Sequence, residues 1–260
     1  MMTVTAGIAP QDAFTGTFAL ALANATTRAN ALKNNALPAS VSAFFAAPTA
    51  ATAGSASPAA ISSTTLGQQL FGILKDIYAD AIATATGLKL KRQIFSAGLG
   101  GFDTHSGELS THNSLYGQID DAFDAFYSAI AELNTLIGNG QVPGLTQPVQ
   151  VTLFTMSDFG RTFEPNGTGG SDHGWGSHTM VLGDQVVGGA CYGTFPDLTL
   201  VEDDPNAKSD VGEGRWLPTT SEDQYANTLA YWLGVTAAAD RDLVFPKLVN
   251  FTTKKLAFMG

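Results

Sequence analysis

The stretch Arg92-Gln93-Ile94-Phe95-Ser96-Ala97-Gly98-Leu99-Gly100-Gly101-Phe102-Asp103-Thr104-His105 decides how the chain is read. Its first half places Ile94, Phe95, Ala97 and Leu99 close together, the composition of a short buried strand. Its second half opens on two glycines and ends on Asp103 and His105, side chains that bind metals and carry protons. Downstream, Leu115, Ile119, Phe123, Phe126, Ile130, Leu133 and Ile137 step by three and four, the period of a helix with one apolar face. Asn139-Gly140 and Pro143-Gly144 terminate it. Val149 to Met156 reads as a second strand. Strand, crossover helix and strand make a βαβ unit, so the expected fold is α/β with a parallel sheet. Sites in such sheets lie beyond the carboxyl ends of the strands. Both strands here run into loops rich in Gly, Asp and His.

Working outward, Leu66, Leu70, Ile73, Leu74, Ile77 and Ile82 share one helical face. Residues 1–65 are dominated by Ala, Thr, Ser and Asn, with a helix expected from Gly16 to Leu32. Ala46 to Thr65 is expected to be a loop or linker, because it has little apolar surface to offset ordering entropy. The chain therefore divides into a helical and linker segment, 1–65, and an α/β domain, 66–260. Towards the far end, Ser221-Glu222-Asp223-Gln224 matches a capping box, and Gly234 suits the end of the helix that follows.

Composition bounds the function. The chain has 260 residues, 44% of them hydrophobic, which is enough for a real core. The net charge is -10 and only 13 residues are Lys or Arg. Nucleic-acid binding needs a basic face to replace counterions, so that class is excluded. An acidic protein still takes an anionic substrate where metal ions supply local positive charge. Cys191 is the one cysteine, so no intrachain disulfide forms. Its small, uncharged neighbours Gly188, Gly189 and Ala190 fit a buried structural thiol. No stretch approaches the ~20 apolar residues of a membrane span. Met1-Met2-Thr3-Val4 has no basic region before an apolar run, so it is not read as a signal peptide.

All four histidines fall between positions 105 and 178, in two loops expected to face each other. His105 belongs to the first, His112 follows at the start of the long helix, and His173 and His178 belong to Gly169-Gly170-Ser171-Asp172-His173-Gly174-Trp175-Gly176-Ser177-His178. Asp-x-His and Asp-His bring carboxylates and imidazoles together, the donors of a hydrolytic metal site. The flanking glycines let the backbone turn tightly enough to aim them. The His173–His178 spacing is not the helical pair of a His-Glu-x-x-His protease. Ser157-Asp158-Phe159-Gly160-Arg161 follows the second strand. Asp158 suits a further ligand or an acceptor behind a histidine. Arg161 suits an oxyanion clamp, or an Asp–Arg pair that fixes the loop. Thr104 and Ser106 are nearby hydroxyls, and nothing in the sequence marks either as an activated nucleophile.

Several separate stretches resemble the bacterial domain-of-unknown-function family 1501, placed in the alkaline phosphatase-like superfamily. They are Arg92 to Phe95 with Gly100 to His105, Ser157 to Thr162, Ser171 to Gly174, Val187-Gly188-Gly189 with Tyr192-Gly193, and Gly214 to Ser221 with Asp223-Gln224-Tyr225. Together they cover about residues 88 to 255.

The resemblance implies a three-layer α/β/α fold with a mostly parallel sheet. It also implies a divalent metal, zinc or manganese, a small anionic ester as substrate, and hydrolysis of phosphate or sulfate esters. Export to the periplasm or exterior is implied too. By analogy Asp103 and His105 bind one metal and Asp172 and His173 the other, with His178 completing the site. The chain is similar to the carboxyl-terminal portion of the family pattern: residues 1–65 show no first strand, early acidic ligand or nucleophile. Superfamily enzymes place Asp-His directly after a strand, so Asp158 competes with Asp172 for that role. Two readings follow. One is a metal-dependent hydrolase-like domain, inactive as this chain if the early ligand and nucleophile are lacking. The other is a non-catalytic exported binding or assembly protein that keeps the scaffold.

Overall fold

The computed structural model describes residues 36–51, 59–82 and 92–260, together with positions 23, 25, 26, 29 and 30. Of the helix expected over Gly16–Leu32 only positions 23, 25, 26, 29 and 30 are described, and these are helical; the rest lies outside the described residues. The chain forms two compact units, Met1–Leu99 with Gly117–Val149 and Gly100–Tyr116 with Gln150–Gly260.

The first unit is helical. Helix α1 is Ala39–Ala46, a 3₁₀ turn spans Ile61–Ser63, and α2 is Thr65–Ala81. The Thr64 hydroxyl accepts from the Gly67 N–H at 3.1 Å, satisfying one free donor of the first turn of α2. Leu66, Leu70, Leu74 and Ile77 are buried, as their spacing requires. Phe45 of α1 packs on Phe71 of α2 with ring centres 5.0 Å apart. The ends of the expected linker are anchored. Thr49 N–H donates to the Ala59 carbonyl and Ile61 N–H to the Ala47 carbonyl, both at 2.9 Å.

Helix α3, Glu108–Gly138, is the long helix the sequence demands. Its first turns belong to the second unit and the rest to the first. Ala122, Ala125, Phe126, Ala129, Ile130, Leu133 and Ile137 are buried at steps of three and four. It ends at Gly140, whose φ of 70° lets its N–H reach the Ile137 carbonyl at 2.9 Å.

The second unit holds the strands: β1 Thr152–Phe154, β2 Gly160–Pro165, β3 Ser171–Gly174 and β4 Val181–Gly183. They form two small antiparallel sheets, β1 with β4 and β2 with β3. Helix α4, Glu222–Trp232, starts with both halves of the expected capping box between Ser221 and Gln224. Tyr225 and Leu229 pack with Phe258, Met259, Val181, Val186, Trp232 and Leu256 as a core. Helix α5, Ala238–Val244, and a 3₁₀ turn, Pro246–Asn250, follow.

The chain is thus mixed α/β, and the strand pairing differs from the expected βαβ. Residues 92–99 form no ladder among the described residues, although their exposure alternates like that of an extended chain. At Gly98 the Gln69 side chain takes both backbone groups, Nε2 donating to the carbonyl at 2.8 Å and Oε1 accepting from the N–H at 2.9 Å. Likewise Asn134 takes the N–H and carbonyl of Val149, at 2.8 and 3.0 Å. Side-chain amides satisfy groups that a neighbouring strand would otherwise satisfy. Cys191 is exposed rather than buried, since the small residues before it cover nothing. No described helix is long and apolar enough to cross a membrane.

Candidate functional site

The site lies wholly within the second unit. It begins at Gly101, whose φ of 102° favours glycine. From there the chain alternates: Phe102 and Thr104 turn inward, Asp103 and His105 turn outward. The inward pair rests on the start of α3. The Thr104 hydroxyl lies 3.0 Å from Nε2 of His112, and that ring packs against Phe102 and Tyr116. His112 is therefore a support beneath the loop and presents no nitrogen to the outward side.

The β2–β3 hairpin closes over this loop. Its tip is built on Asn166, whose Oδ1 accepts from the N–H groups of Thr168 and Gly170 at 3.0 and 3.1 Å. Asn166 Nδ2 then donates to the His105 carbonyl at 3.0 Å, joined there by the Thr168 hydroxyl. Gly170 packs directly on the same backbone, where an added Cβ would fall 2.2 Å from the His105 carbonyl carbon. Beyond the tip, β3 carries Asp172 and His173 on successive positions.

The side chains converge on one oxygen. Oδ1 of Asp103 lies 3.0 Å from His105 Nε2, 2.8 Å from His173 Nε2 and 3.1 Å from NH1 of Arg161. Asp103, His105 and His173 each offer a ligand atom, and these atoms lie within 4.8 Å of one another. The three side chains are 58%, 52% and 48% exposed, so the cluster is open to solvent. The hydrogen bond from His173 holds the Asp103 carboxyl below its ordinary pKa, and desolvation pushes the other way; a second hydrogen bond from Arg161 and the charges of His173 and His105 add to the lowering. The rings form a column, with Phe159 stacked on His173 at 4.0 Å and 6°, and His173 on His105 at 5.3 Å.

The other expected residues fall elsewhere. Asp172 Oδ1 accepts from His105 Nδ1 at 3.0 Å, behind the ring rather than among the converging atoms. His178 stacks on Phe195, ring centres 5.7 Å apart, and lies outside the cluster. Asp158 is exposed and also lies outside it. Arg161 pairs with Asp103 and, more loosely, with Glu108, not with Asp158. Its Nε donates to Ser171 Oγ at 3.0 Å, and NH2 donates to the carbonyls of Thr104 and Ser171. Only 14% of its side chain is exposed, so it ties β2, β3 and the loop together.

Sequence reading did not identify Glu108, Asn166, Thr168 or Arg215. Arg215 Nε donates to the His173 carbonyl at 3.1 Å and fixes that residue from behind. An Asn-Gly pair favours a turn, but the grip of Asn166 on His105 spans 61 residues and leaves no mark in a local pattern.

The model of a family described as "Protein of unknown function (DUF1501)" matches residues 29–242. No curated protein and no solved structure matches the chain.

Proposed function

For this chain, which belongs to the DUF1501 family, we propose a metal-dependent hydrolase-like domain acting on phosphate or sulfate esters. The observation that carries the reading is the convergence of Asp103, His105 and His173 on an open face. The donor set fits a divalent ion such as zinc or manganese. Asp172 is a carboxylate and can only accept, so the proton of a neutral His105 sits on Nδ1. With the proton there, the Nε2 lone pair is directed at the same side as the Asp103 carboxylate, 3.0 Å away, so both can serve one cation. Such an ion would polarise an ester oxygen and offset the charge developing on it.

The chain's own groups do the rest. Asp172 fixes the ring of His105, Phe159 stacks on the ring of His173 while Arg215 holds its backbone carbonyl, and Arg161 steadies Asp103. The three-layer superfamily fold and an exported location belong to this same reading. One observation favours the rival, a binding or assembly protein without catalysis. The Thr104 hydroxyl faces His112 on the inward side, away from the converging ligand atoms.

The deciding measurement is hydrolysis of aryl phosphates and aryl sulfates by protein loaded with zinc or manganese, next to His173→Ala. Turnover in the loaded wild type, lost in the variant, is expected. Metal binding without turnover of either ester class would select the non-catalytic rival.

A further inference from the structure

Resting on the metal reading above, we infer that this site takes a single divalent ion rather than a pair, with the Arg161 guanidinium standing where a second cation's charge would be needed. A two-metal hydrolytic centre holds its ions roughly 3.5–4 Å apart and needs carboxylates to serve both. The other two carboxylates that touch the residues around Asp103 already have partners here. Asp172 Oδ1 is on His105 Nδ1 at 3.0 Å, and its backbone N–H is on the Thr162 hydroxyl at 2.9 Å. Glu108 accepts from the Ser171 hydroxyl and lies 3.9 Å from Arg161 Nε and 3.6 Å from His112 Nδ1.

The second argument is electrostatic. Arg161 NH1 sits 3.1 Å from Asp103 Oδ1, the oxygen that both imidazoles approach. This guanidinium is not free to swing away, because Nε and NH2 are bonded to Ser171 and Thr104. A fixed positive charge beside Asp103 repels a second dication and already does the neutralising that such an ion would do. Asp103, His105 and His173 thus supply a two-histidine, one-carboxylate set with open positions, enough for one ion. Asp172 is a positioning residue: it orients His105 and raises the basicity of its other nitrogen.

The test is titration of the full chain with manganese(II) and zinc(II), with stoichiometry from elemental analysis after dialysis and electron paramagnetic resonance of the manganese form. The expected result is one ion per chain and the hyperfine pattern of an isolated ion. Asp103→Ala should abolish binding. Asp172→Ala should keep the stoichiometry of one but bind about 10- to 100-fold more weakly, with Asp172→Asn in between. Circular dichroism of each variant separates loss of the ion from loss of the fold. Two ions per chain, exchange-coupled manganese, or an Asp172→Ala variant as empty as Asp103→Ala while still folded would overturn the inference and leave the metal reading standing. No binding of either ion to the wild type would overturn the metal reading itself.

Discussion

Asp103 receives His105, His173 and Arg161 on one of its oxygens. That concentration sets its titration. Hydrogen bonds from His173 and Arg161, with the charges of His173 and His105, stabilise the carboxylate over the acid. The folded-state pKa is therefore depressed, and the stability it contributes is present above the unfolded value, about 3.9. That contribution is lost as the pH falls through the lower, folded value. In a carboxyl carbon NMR titration of metal-free protein, Asp103 should have a midpoint below that of ordinary aspartates. A midpoint at or above the ordinary value would mean that the pairing does not persist in solution. The sequence exposed Asp103 and His105 as a chemical pair. It could not tell that His173 meets Asp103 while Asp172 meets the far nitrogen of His105, because the register of a bulged hairpin is set by its tip.

At the scale of elements, the β2–β3 hairpin is the working part. Its register puts Arg161 opposite His173, and its tip holds the His105 carbonyl. Gly170→Ala should place a methyl group into the His105 backbone and push tip and loop apart. The expected cost is about 1–3 kcal/mol in urea unfolding, as for overpacking elsewhere, with much weaker manganese binding. Unchanged binding would show that the tip does not set His105. Helices were the legible elements. The steps of three and four in α2 and α3 and the capping box of α4 are local patterns that the structure repeats. Strands were not. An apolar run such as 92–99 states that it can be extended but not which partner it meets. Here Gln69 meets Gly98, and the partner of Thr152–Phe154 is antiparallel Val181–Gly183.

Across the whole molecule, the net charge of -10 repels itself, and a bound cation works against that repulsion. Binding to the folded state alone also stabilises by mass action. At a hundredfold excess over Kd the gain is about 2.7 kcal/mol, read as a higher urea midpoint. His173→Ala should lose that gain while keeping its metal-free stability within about 0.5 kcal/mol, because His173 is half exposed. An equal gain in the variant would place the ion elsewhere. The mixed α/β class and the separate polar loops were legible from composition and period. The division into two units was not, because α3 reads as one unbroken stripe although its first turns and its body belong to different units.

The clamp on His105 also has a kinetic side. Its ring meets Asp172 across 67 residues, and Asp103 meets His173 across 70. Closing a loop of that length costs entropy before any contact repays it. The intervening helix needs only near neighbours and forms on a far shorter timescale. The ligand set is therefore expected to be among the last parts of the chain to assemble, and an ion present during refolding should leave the first, helical phase unchanged and slow unfolding instead.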